Sequence, residues 1–209
     1  GARSRSDRAR PGPGREPRLG VFWIAQSNRL HYGLHNPEKT NAMHPTREIY
    51  DELQTAYDYF NVELFGGELP PCLITLQREK RTYGYFCRER FVNRGGATSD
   101  EIAMNPSYFG VRSIKHTLST LVHEMVHQWQ YRHGKPGRRG YHNREWADRM
   151  ESLGLIPSHT GQEGGKRVGE RMSHYIAPGG SFDVACDALL TRDFVLSWLD
   201  RFPPTIPTG

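Results

Sequence analysis

The sequence predicts a small α+β fold in which a buried helix packs on a short mixed or antiparallel sheet. Three observations carry that expectation. Thr46–Phe65 and Ser113–Arg132 both repeat apolar residues with a helical period. Between them lie three short runs rich in β-formers, Cys72–Arg78, Tyr83–Cys87 and Glu101–Met104. At 209 residues the chain is long enough for one sizeable core with an appended subdomain.

Taken in order, residues 1–18 read as a disordered basic tail: six Arg stand against Asp7 and Glu16, which puts +4 of the net +5 there. Such an arm can touch phosphate backbones, or simply solubilise the chain. A partly ordered lead-in follows, and residues 19–157 form the expected core. Its first helix places Ile49, Leu53, Ala56, Tyr57, Phe60 and Leu64 on one face, with Thr46 as N-cap and Gly66-Gly67 as stop. Arg94–Asp100 reads as a glycine-containing loop, and Asn105-Pro106 ends the third strand. Ser113–Arg132 has a wide stripe (Ile114, Leu118, Leu121, Val122, Met125, Val126, Trp129), as a largely buried helix needs. After a basic loop, Asn143 caps a shorter helix with Trp146, Met150 and Leu153 inward, stopped by Gly154 and Pro157.

Residues 158–209 read as a C-terminal extension. Ser158–Ser181 is a long polar, glycine-punctuated loop, placed to act as a lid. Asp183–Leu190 reads as a helix and Phe194–Leu199 alternates like a strand, before a Pro-rich end. No stretch approaches the roughly 20 apolar residues that span a bilayer. Cys72, Cys87 and Cys186 are widely spaced without a C-x-x-C pair, which argues for buried free thiols rather than a disulfide scaffold. With no apolar signal core at the N-terminus, the expectation is an intracellular protein, cytoplasmic or nucleoid/nuclear, not secreted.

The chemistry concentrates in His123-Glu124-Met125-Val126-His127. On a helix, positions i and i+4 share a face about 6 Å apart along the axis, so both imidazoles can reach one Zn2+. Glu124 lies beside the first of them, where its carboxylate can act as general base on water. A catalytic zinc takes three protein ligands, and His133, His142, Glu145, His159 and His174 are candidates for the third. His142 leads because it opens the next helix after a flexible loop. Glu145 is the principal rival, or a group that orients an imidazole. Asn105, His174 and Tyr175 are further candidates for contact with substrate or transition state.

Several of these segments resemble the SprT-like metallopeptidases, the family of Spartan-type DNA–protein crosslink proteases. The marks are Tyr59-Phe60-Asn61-x-x-Leu64-Phe65-Gly66-Gly67-x-Leu69-Pro70, Glu101-Ile102-x-x-Asn105, Leu121-Val122-His123-Glu124-Met125-Val126-His127 and Gly140-Tyr141-His142-x-x-x-Trp146. The resemblance covers roughly Tyr50 to Pro157. It implies a zincin-like metallopeptidase core, zinc on His123, His127 and His142, Glu124 as base, and DNA-stimulated cleavage of proteins bound or crosslinked to DNA.

An edge strand above the metal would pair with extended substrate, and Glu101–Asn105 is the candidate. DNA, single-stranded or junction-containing, is the expected partner. Arg78, Lys80, Arg81, Arg88, Arg90, Arg94, Arg132, Lys135, Arg138 and Arg139 interleave with Tyr83, Tyr85, Phe86, Phe91, Tyr131 and Tyr141, a pattern suited to phosphate contact and base stacking. Two other readings stay open: a DNA-associated zinc-binding regulatory module, and a peptidase for one specific protein independent of DNA.

Overall fold

The computed structural model describes residues 44–138 and 140–205. The basic tail, the lead-in and Arg139 lie outside these. The described residues form four helices and two small sheets, an α+β fold.

Helix α1 (Pro45–Phe65) starts one residue earlier than its periodicity suggests. The N-cap is His44, not Thr46, because Pro45 supplies the fixed φ of a first helical residue and Glu48 accepts the His44 N–H at 3.0 Å. It ends at Gly66, with the Gly67 N–H bonded to Asn61 O at 2.8 Å.

Strands β1 (Leu73–Leu76), β2 (Gly84–Val92) and β3 (Thr98–Met104) follow, in the spatial order β1-β3-β2. β1 runs parallel to β3, and β2 runs antiparallel to it with a register shift between Cys87 and Phe91. The sheet is therefore mixed. β3, expected as a substrate-pairing edge, is instead the central strand, and every residue from Asp100 to Met104 is buried. Paired on both sides, it has no free ladder to offer. β2 is the edge strand beside the next helix. The expected Arg94–Asp100 loop shrinks to the turn 93–97, where Asn93 Oδ1 accepts the N–H groups of Gly95 and Ala97.

Helix α2 (Ile114–His133) is capped by Ser113, whose Oγ accepts the His116 N–H. It runs behind β2 and β3, burying Leu118, Leu121, Val122, Met125 and Val126. Helix α3 (Arg144–Ser152) is capped by Asn143, as expected. Beyond it, Ser158–Ser181 is not one open loop. β5 (Ser173–Ile176) returns antiparallel on β4 (Leu155–Ser158), pairing Pro157 with His174. Helix α4 (Ser181–Leu190) then docks Phe182, Cys186 and Leu189 into the same core as Phe60 and Leu53 of α1. The turn into β4 needs close backbone approach: at Gly154, φ is +77° and an added Cβ would stand 2.8 Å from Gly180 Cα.

Phe194–Leu199 is not a strand, because among the described residues no strand lies beside it to pair with. It is tied to α1 by side chains: the Ser197 N–H donates to Glu52 at 2.9 Å and Trp198 Nε1–H to Glu48 at 2.8 Å. Cys72, Cys87 and Cys186 are free thiols. Burial pushes Cys72 up to about 12 and Cys186 up to about 11, so neither is a reactive thiolate.

Candidate metal centre

α2 carries His123 and His127 one turn apart on the face turned toward α3. His142, just before α3, comes back to meet them. Its placement depends on Gly169, far along the chain: the His142 N–H donates to Gly169 O at 2.7 Å, and the Gly169 N–H returns to His142 O at 3.1 Å. His142 Nδ1 lies 3.1 Å from the same carbonyl and must donate to it, which leaves Nε2 as the bare nitrogen. One ligand atom from each of His123, His127 and His142 lies within 4.8 Å of the others.

Trp146, fully buried one turn into α3, walls the cluster. Its ring stacks on His127 at 5.4 Å and 19°, and stands 4.4 Å from His142 and 4.9 Å from His123. The sequence marked Trp146 as an inward residue four positions after His142, but not its place against the three imidazoles.

Burial sets the protonation states. It drives His127 down to about 3 and His123 well below its ordinary value, and it lowers His142 as well. All three imidazoles thus keep their lone pairs at neutral pH, as metal ligands must. Burial pushes Glu124 up to about 8, with a backbone hydrogen bond from Phe86 of β2 pulling the other way. The edge strand approaches this carboxylate so closely that a Cβ on Gly84 would stand 3.5 Å from Glu124 Cγ.

The other candidates go elsewhere. Glu145 accepts Gln130 Nε2–H at 2.8 Å and the Lys135 N–H at 2.7 Å, clamping the loop after α2 rather than joining the histidines. His133 packs on Trp129, and His159 accepts the Lys166 N–H at 2.9 Å. Asn105 is spent on its own turn: Nδ2 donates to Glu79 O and Thr82 O, and Oδ1 accepts the Ser107 N–H. His174 is at the centre, with Nδ1 3.1 Å from His123 Nδ1. Tyr175, next along β5, points to the opposite face by strand alternation.

The basic and aromatic residues divide into two groups. Arg132 is drawn inward to the buried Asp100 at 2.8 Å, while the exposed Arg138 pairs with the exposed Glu170 at 2.6 Å and the exposed Arg78 with Asp200 at 3.1 Å. Arg88 has no ion pair among the described residues and lies over Tyr131 at 5.3 Å, beside Phe86 on the β2 edge.

Three neutral nitrogen donors with a buried carboxylate alongside fit zinc better than a hard cation, which would need a cage of oxygens. Among the described residues no helix is long and apolar enough to cross a membrane.

Comparison with known proteins bears on these residues. The model of a family described as SprT-like matches residues 53–163, just over half of the chain and all of the histidine cluster. A curated relative from Salmonella typhimurium, described as "Uncharacterized protein in mucB 3'region", is 71% identical over 59 residues, 28% of this chain and 80% of that protein. No solved structure matches.

Proposed function

The chain belongs to the SprT-like family, and from that premise we propose that it is a zinc-dependent endopeptidase cutting proteins bound or crosslinked to DNA. The observation that carries the reading is the convergence of His123, His127 and His142 beside a buried Glu124. A purely structural zinc site would have no use for that carboxylate.

Zinc held by the three histidines would supply Lewis acidity, lowering the pKa of a water and polarising the peptide carbonyl. Glu124 takes the proton from that water and later passes it to the leaving amine nitrogen. Its burial suits the task. A pKa of about 8 is brought toward the working range by a cation next to it. Trp146 excludes water from the back of the imidazoles. An extended substrate would add to the free edge of β2, next to Phe86, whose backbone acts on Glu124. The lid expected from Ser158–Ser181 becomes a strap in this reading, since Gly169 is paired with His142.

Support for DNA as partner is the family resemblance together with Arg88 and Tyr131 on the edge of the same cleft. The test is cleavage of a DNA-bound protein by zinc-loaded wild type and Glu124→Gln, with and without single-stranded DNA. Glu124→Gln should retain zinc and lose roughly 100- to 10,000-fold in rate. A wild-type rate in that variant overturns the mechanism. Cleavage indifferent to DNA and to salt would point to one specific protein substrate instead.

A further inference from the structure

His174 reaches the metal centre from β5, outside the segment that carries the H-E-x-x-H motif, and both of its ring nitrogens are engaged. Nδ1 lies 3.1 Å from His123 Nδ1 and Nε2 lies 2.9 Å from Ser119 Oγ. Ser119, one turn before His123 on α2 and fully buried, uses its hydroxyl proton on the His116 carbonyl at 2.9 Å.

That last bond sets the direction of the whole chain. With its proton spent, Ser119 Oγ can only accept, so His174 Nε2 is the protonated nitrogen. His174 Nδ1 is then bare and accepts from His123 Nδ1–H. His123 is left with a bare Nε2, the one nitrogen free to face the other two ligands. The opposite polarity would take the Ser119 proton away from the His116 carbonyl and leave His123 protonated at Nε2, with no lone pair to turn toward the other two ligands.

We propose that His174 is a positioning residue which, anchored on Ser119, locks the tautomer and ring orientation of His123 for metal binding. This deepens the metal-centre reading and rests on it. His174 is not a fourth ligand in this assignment, for it stands outside the group whose ligand atoms lie within 4.8 Å of one another. Nor is it the substrate contact expected from sequence. His142 is held by the same logic through Gly169 O. Two of the three ligands therefore have a partner that orients them, both supplied by the segment after α3.

The experiment measures zinc affinity by competition with a chromophoric chelator for wild type, His174→Leu, His174→Asn and Ser119→Ala. The His123 Nδ1–H resonance of the zinc-loaded protein is followed in parallel by nitrogen-15 NMR. His174→Leu should weaken zinc binding roughly 10- to 100-fold and lose the hydrogen-bonded His123 proton. His174→Asn should restore most of both, because its Oδ1 stands where Nδ1 stood and can accept. Ser119→Ala should fall between, and decides the matter if His174→Leu does not fold. Wild-type affinity in His174→Leu overturns the proposal, and so does an Asn variant as weak as the Leu variant. If wild type binds zinc no better than a His123→Ala/His127→Ala double variant, the metal-centre reading fails as well, a result separable from the other two.

Discussion

Replacing Gly84 by Ala tests how tightly the edge strand is set against the base. The added methyl would stand 2.9 Å from Ala103 O and 3.1 Å from Thr120 Cγ2. Neither neighbour gives easily: Ala103 is 1% exposed on the central strand, and Thr120 is held in α2. The edge strand must therefore shift outward by a few tenths of an ångström. Overpacking of this kind costs about 1–3 kcal/mol, which lowers Tm by about 2–12 °C in a domain of this size. The same shift moves the Phe86 backbone, whose pull on the Glu124 carboxyl opposes the effect of burial. With that pull weakened the base is driven further up, so turnover should fall beyond any loss of folded protein. Calorimetry and peptide-bond cleavage on the zinc-loaded protein read the two effects separately. Gly110→Ala is the control, since its nearest neighbours would be 3.7 and 3.8 Å away. A Gly84→Ala protein with wild-type Tm and rate would refute the close packing of β2 on Glu124.

Two further outcomes follow from the site. In the metal-free protein, His127 and His174 are held at about 3 and His123 well below its ordinary value, whereas an unfolded chain titrates them near 6.5. The unfolded state then binds more protons, so stability present above about pH 6.5 drains away as pH falls toward 3. Glu124, raised to about 8, holds an extra proton in the folded state and partly offsets the slope between about pH 4.5 and 8. Urea unfolding of chelator-treated protein should show the midpoint dropping from pH 7 to pH 5, and a flat profile would contradict the buried neutral imidazoles. Glu145→Ala should cost about 1–2 kcal/mol from the lost clamp on Gln130 and the Lys135 N–H. It should still bind one zinc per chain by elemental analysis, and loss of the metal would return Glu145 to contention as a ligand.

What could be read from sequence, and what could not, follows the range of each interaction. α1, α2 and α4 were visible because an apolar stripe is a local pattern repeated over several turns. The cap at Asn143 was visible because one side chain meets one nearby N–H. The mixed character of the sheet was an open choice, but strand order was not legible. Nothing within Glu101–Met104 says that it has neighbours on both sides, except a run of buried residues that a loop-side edge would not need. β5 was missed because Ser173–Ile176 is four half-buried residues with a partner fifteen positions away across a glycine-rich turn. Phe194–Leu199 erred the other way: it alternates as a strand should, and among the described residues it has no ladder to join. At the site, the i, i+4 histidines were legible from helix geometry alone. Gly169 and Ser119 were not, since each acts through a contact that only the folded chain creates; Trp146 was legible as an inward residue, though not as a wall of the cluster.

The pairing of His142 with Gly169 bears on how portable this centre is. The stretch matched by the family ends at residue 163, and both Gly169 and His174 come after it. A graft of the matched segment onto another scaffold would transplant every ligand and the base, yet leave behind what aims two of the ligands. Motif and tuning thus occupy separate stretches of one chain. Substitutions in the second stretch can reset metal affinity by degrees while the H-E-x-x-H helix stays untouched, which gives evolution, or an engineer, a dial that is independent of the switch.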